Sequence, residues 1–246
     1  MLIASLFLLS ALLSDDPPSK LAAGDDAFFR MDYPEAVEFY TAALGDHPDD
    51  PDILWRLARV YVCNGEVLEG AERSAECKQA ETYARRCIEL DSMNAEGHSW
   101  RAAALGYVAL DAGMSDQVKL SHELLREAGL ALALNPGDDA AYSIKGSFYR
   151  AMGNVSWFQR QLAAIFIGRI PRGGYEEAED ALKKAIALAP DVMRHHYELG
   201  ILYLDMDRKE EARKVLERAA TLPIKVAIDR PRLKKIRDLL LGLAER

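Results

Sequence analysis

The sequence predicts an all-α fold, a right-handed superhelix of about five helix pairs with inserts inside some pairs and a C-terminal capping helix. Three observations carry this. One register of small and aromatic residues recurs five times along the chain. Prolines 48, 136, 190 and 223 fall just past second helices, where a helix has to stop. Residues 226–246 are amphipathic at helical spacing.

The chain has 246 residues, 50% of them hydrophobic and 28% charged, which is the composition of a globular domain or a short solenoid. Its net charge of −8 argues against nucleic-acid binding, which needs a basic surface for the phosphates. The charge is uneven. Residues 1–138 carry 11 Lys+Arg against 24 Asp+Glu, and 139–246 carry 20 against 15, so the halves stand at −13 and +5. Such a surface consists either of solvated faces of differing sign or of two ends able to orient a partner or associate head to tail.

The first element is a signal-like hydrophobic segment, 1–14, whose apolar run Leu2–Ser14 is too short to span a bilayer. It predicts export to a periplasmic or secreted location. A cytoplasmic protein with an apolar first helix is the alternative, because no Lys or Arg precedes the run.

A TPR-like superhelical domain is expected over 15–225. Its first unit, about 17–50, places Gly24, Ala27, Ala36, Tyr40, Ala43 and Pro48 on the repeating register. The second, 51–94, has Leu57, Ala58, Tyr61, Ala80 and Cys87 there. The third, 97–138, has Trp100, Ala104, Tyr107, Ala131 and Pro136. The fourth, 139–192, has Tyr142, Gly146, Tyr149, Ala178, Leu182, Ala185 and Pro190. The fifth, 193–225, is clearest, with Leu199, Gly200, Tyr203, Ala212, Leu216 and Ala219. Small residues where two helices cross, with large ones beside them, match the tetratricopeptide-repeat (TPR) template, because helix axes approach closely only where side chains are short. Units two to four are stretched between their helices. The longest insert, 154–173, is apolar and predicts an extra helix, with Trp157, Leu162, Ile165 and Phe166 plugging or flooring the concave groove.

The last element, 226–246, is a capping helix. Leu233, Ile236, Leu239, Leu240 and Leu243 form its apolar face, and Arg232, Lys234, Lys235 and Arg237 lie on the polar side.

Three stretches resemble the regulator of microtubule dynamics family: Leu54-Trp55-Arg56-Leu57-Ala58-Arg59-Val60-Tyr61, His98-Ser99-Trp100, and Val155-Ser156-Trp157-Phe158. The last lies inside the long insert and outside the generic repeat template. The similarity runs from about Pro51 to the C-terminus. It implies the TPR architecture and a binding role, since eukaryotic members are associated with microtubules and organelle membranes. An exported protein would not meet microtubules.

The first helix of each TPR pair lines the concave face. Projected by register, the groove candidates are Trp55, Arg59, His98, Arg101, Ser143, Ser147, Arg150, Arg194 and Tyr197, with Trp157 from the insert. The arginines suit a carboxylate or phosphate, held by two parallel hydrogen bonds. They serve equally well in ion pairs between repeats. The expected partner is a protein or peptide, with an anionic amphiphile or lipid as the alternative and self-association through opposite charges as a third.

Nothing points to catalysis. The sequence lacks a Gly-rich phosphate loop, a Gly-x-Ser-x-Gly elbow and His-Glu-x-x-His, and no cofactor is implied. Cys63, Cys77 and Cys87 match no zinc spacing and read as small buried hydrophobes. His195 and His196 point to different helix faces and cannot chelate a metal as an i, i+4 pair does; they read as a solvated helix start. Asp49-Asp50-Pro51-Asp52 reads as a capping turn, with no metal expected.

Overall fold

The computed structural model describes residues 19–244, and the signal-like segment 1–14 lies outside them. The described residues form twelve helices and no strand. No helix among them is long and apolar enough to cross a membrane.

The first pair is α1 (Lys20–Phe29) and α2 (Tyr33–Asp46), and the second is α3 (Pro51–Gly65) and α4 (Gly70–Leu90). The third is α5 (Ala95–Leu110) and α6 (Met114–Leu134). In the fourth, α7 (Asp139–Gly153) pairs with α9 (Tyr175–Leu188), and α8 (Trp157–Phe166) lies between them in sequence. The fifth is α10 (Met193–Asp205) and α11 (Lys209–Ala220), followed by α12 (Asp229–Ala244). Each second helix packs on the first helix of the next pair. The first helices α3, α5, α7 and α10 also touch in succession, which makes them the inner layer of the superhelix. The all-α TPR-type fold read from the sequence is the fold observed.

Local chemistry explains the starts. Asp32, Asp50, Asn94 and Asp138 each accept a backbone N–H from the first turn of α2, α3, α5 and α7. Asp50 therefore caps, as expected, with Asp52 N–H donating at 2.8 Å, while Asp49 accepts from Arg86 at 2.8 Å. The crossings depend on glycine. A Cβ on Gly146 would stand 2.5 Å from Leu182, and one on Gly200 2.5 Å from Leu216, so those helix pairs close over the bare backbone.

The stretched second and third units hold their extra residues as helix. Both α4 and α6 run to 21 residues, longer than their partners. The fourth insert differs, since α8 stands apart from the pairs. Arg160 fastens it by donating to the carbonyls of Met152, Pro171 and Gly173, and His122 Nε2 donates to Arg169 O at 2.8 Å.

Three expectations are corrected. His195 and His196 are 1% and 7% exposed, so they are not a solvated helix start. His195 Nε2 meets Asp139 Oδ2 at 2.7 Å and His196 Nε2 meets Pro190 O at 2.9 Å; these partners offset the cost of burial. Arg232 leaves the polar side of α12 and is buried against Asp229. The insert does not floor the groove through Ile165, which is 71% exposed. The side chains of Trp157, Leu162 and Phe166 lie outside those described. Between the described residues of α8, α6 and the end of α7 opens a mostly apolar cavity of about 750 Å³, lined among others by Met114, Val118, Met152, Ala163 and Ile167.

The three cysteines are buried, and burial pushes the Cys77 and Cys87 thiols up to about 12, so they are inert core residues. On α12, Ile236 packs with Met193, Leu216, Ala219 and Leu222, which is the capping contact expected.

Candidate functional site

The concave side is closed at two places. Arg194 of α10 lies 3.6 Å from Glu66, just past α3, bringing the fifth unit against the second. Tyr107 of α5 donates its hydroxyl to Glu66 at 2.6 Å. Burial works against the Arg194 charge, but Glu66 beside it outweighs this and holds the guanidinium firmly protonated. The second closure involves the connection between α11 and α12, where Ala227 N–H donates to the Tyr33 hydroxyl at 3.0 Å. Tyr33 begins α2, so the last unit meets the first.

Between these closures lies a cleft of about 540 Å³. Phe28, Phe29 and Met31 form one wall at the end of α1. Trp100 of α5 and Ile224, Lys225 and Val226 of the α11–α12 connection also line the cleft. Phe28 is buried, whereas Phe29 is 68% exposed at the lip. Glu96 orients Trp100 by accepting its indole N–H at 3.0 Å, and burial raises the Glu96 carboxyl above its usual range. Charged and polar groups also line the cleft, among them Glu66, Arg194, Asp139 and His195. Asp229 and Arg232 complete it as a buried pair. His195 has a buried Nδ1 with no hydrogen-bond partner among the described residues.

The register projection finds part of this. Arg194 lines the cleft. Tyr197, on the next turn of the same helix, packs against α12 with Arg232 above its ring. Arg59 lies across the Phe28 ring, 3.8 Å from its centroid, and donates to Asp25 at 3.1 Å and to the Tyr40 hydroxyl at 3.0 Å. Trp55 sits at the start of α3, its indole N–H on Asp52 at 3.0 Å. Arg150 pairs with Asp205 at 2.9 Å, and Glu198 lies 3.7 Å from its Nε. The hydroxyls of Ser143 and Ser147 are buried without partners among the described residues. Trp157 lies outside the described side chains.

His98 and Arg101 do not face the groove. His98 Nδ1 meets Glu127 at 2.5 Å, and Arg101 binds Glu127 at 2.7 Å, Glu81 at 3.2 Å and Glu123 at 3.3 Å. Those carboxylates belong to α4 and α6, which both pack on α5 and draw these two side chains away from the groove. All four projected arginines therefore have carboxylate partners within the chain, and none stands ready for an anionic head group. Reading by register missed Phe28, Phe29, Glu66 and the residues around Ala227. A signal for the last was present: Ile224-Lys225-Val226-Ala227-Ile228 is too apolar for a fully solvated connection.

Comparison with known proteins agrees with this architecture. The family profile described as Regulator of microtubule dynamics protein 1-3 matches residues 21–244. Human Regulator of microtubule dynamics protein 2 is 27% identical over 209 residues, covering 81% of this chain and 50% of that protein. Bovine Regulator of microtubule dynamics protein 1 is 26% identical over 204 residues, covering 80% and 63%. The chain thus spans about half the length of the curated relatives it matches. The crystal structure of a thermophilic TPR protein from Thermus thermophilus superposes with a TM-score of 0.68 at 21% identity, covering 90% of this chain and 97% of that one.

Proposed function

The chain belongs to the regulator of microtubule dynamics family, and from that premise we propose that it is a non-catalytic protein-interaction scaffold whose partner enters the cleft between its first and last units. The observation that supports this is the cleft itself, about 540 Å³ of space with Phe29 two-thirds exposed at its entrance. Exposed aromatics beside a pocket are the usual anchors of protein interfaces. The paired arginines favour a peptide over an anionic amphiphile here, because a head group would have to break an existing ion pair.

The relatives' name supplies the first partner to try, assembled microtubules. The chain is co-sedimented with them after a photo-reactive residue replaces Phe29. A cross-link from position 29, with retention lost in Phe29→Ala, supports the cleft as the site. Retention unchanged in Phe29→Ala, with no cross-link, places binding elsewhere. Binding to microtubules would also favour the cytoplasmic alternative over export.

The cavity beneath α8 favours a second reading, an amphiphile binder, because it is roomy and lined by Met114, Val118, Met152 and Ile167. Native mass spectrometry of the purified chain tests it. A copurified species of lipid mass supports this reading, and a clean apo mass removes it.

A further inference from the structure

The positive excess of the second half of the chain sits at its end. Residues 139–208 carry nine Lys+Arg against nine Asp+Glu, and 209–244 carry 10 against 5. Helix α11 mixes four basic residues with three acidic ones, whereas α12 has five against two. The cations are also used differently. Of the eleven in residues 19–138, ten are ion-paired to carboxylates of the chain, with Lys78 the exception. On α12 only Arg232 is so paired, with Asp229. Arg230, Lys234, Lys235 and Arg237 are exposed and have no carboxylate partner among the described residues. Spacings of four and three residues set Arg230, Lys234 and Arg237 in one row, and Leu241, 63% exposed, continues it. Asp238, beside the row, is the one carboxylate on the exposed side of α12 among the described residues.

We propose that this row is a second docking surface, independent of the cleft, and that its partner is a short acidic protein segment. From Arg230 to Arg237 the row spans about 10 Å along the helix axis. Alternate residues of an extended chain stand about 7 Å apart, so two or three carboxylates reach all three cations while an apolar neighbour covers Leu241. Such a segment breaks no ion pair on arrival, unlike an anion approaching the paired arginines of the inner layer. Complementary charge of this kind speeds the encounter and fixes its orientation. A long polyanion such as a nucleic-acid duplex fits less well. Beyond the row it meets an acidic body, since residues 1–138 stand at −13. A bilayer also fits less well, because Leu233, Leu239, Leu240 and Leu243 already pack against the fifth unit and leave Leu241 alone to insert.

The test uses a fluorescent decaglutamate peptide as probe, read by anisotropy on the full chain. The peptide is expected to bind, and to bind less as salt rises. The triple variant Arg230→Glu, Lys234→Glu, Arg237→Glu should lose at least about tenfold in affinity. A control triple, Lys78→Glu, Arg172→Glu, Lys184→Glu, changes the net charge equally at exposed cations elsewhere and should bind as the natural chain does. An equal loss in the control would show a response to net charge alone and overturn the proposal, as would a natural chain that ignores the peptide. If charge reversal unseats α12, seen as lost helical content, the neutral triple Arg230→Gln, Lys234→Gln, Arg237→Gln decides by the same comparison. Sedimentation with phosphatidylserine vesicles separates the other occupant. Vesicle binding that the first triple abolishes, with no binding of the peptide, assigns the row to a bilayer and overturns the acidic segment. Phe29 and the cleft enter none of these measurements, so either reading can fail alone.

Discussion

Ala227 and Tyr33, 194 positions apart in sequence, share one hydrogen bond, from the amide of the first to the hydroxyl of the second. It joins the connection after the fifth unit to the helix that closes the first.

Tyr33→Phe removes the acceptor and little else, because the ring is buried among Phe28 and its neighbours. We expect a loss of about 1 kcal/mol, the usual net worth of such a bond. The amide of Ala227 should also exchange its hydrogen faster while the helices stay protected. Unchanged exchange at Ala227 would mean that the α11–α12 connection is held by its other contacts.

Gly200→Ala should destabilise by about 1–3 kcal/mol in urea unfolding, through overpacking of the new methyl against Leu216. Gly129→Ala is the control. Nothing stands within 4 Å of its Cβ position, so the higher helix propensity of alanine should stabilise by up to about 1 kcal/mol.

Asp207→Gly should stabilise by up to about 1 kcal/mol. Asp207 has a φ of 57°, a left-handed conformation that favours glycine, and its ion pair with Lys209 is exposed and contributes little. Thermal unfolding at neutral pH shows the direction.

Acid should weaken the joint between the fourth and fifth units. Arg208 donates to the Glu179 carboxylate at 2.5 and 3.2 Å, and Lys183 and Tyr203 add further bonds, holding its pKa down at about 2. A carboxyl with an ordinary value near 4.5 when unfolded then stabilises the fold above that pH. The contribution, roughly 1–3 kcal/mol, fades as the pH falls from 4.5 towards 2. Glu179→Gln should be less stable at pH 7 and lose less between pH 5 and pH 3. Parallel pH profiles for the two chains would show that Glu179 is not the group responsible.

The fold was legible because its rule is local. Gly146 and Leu182, or Gly200 and Leu216, sit at fixed distances in sequence and meet where two helices cross. The extra residues of the second and third units were read as inserts because they lie off that register, yet they hold no strong breaker and simply lengthen α4 and α6. The projection of His98 and Arg101 failed for another reason, since Glu81, Glu123 and Glu127 on the neighbouring second helices hold these side chains. Arg194 was placed inward, but its partner Glu66 lies three units away. The cleft depends on such distant pairings, and no spacing within one unit encodes them.

A solenoid ordinarily has two loose ends, and its terminal repeats fray first because each leans on one neighbour. Here Tyr33 rests on Ala227 and Glu66 on Arg194, so the chain is closer to a clasped bracelet than to a spring. Peeling away either terminal repeat means undoing a contact with the other end. Unfolding should then approach a single concerted event, and deletion of the first helix pair should loosen α12 although about 180 residues separate them.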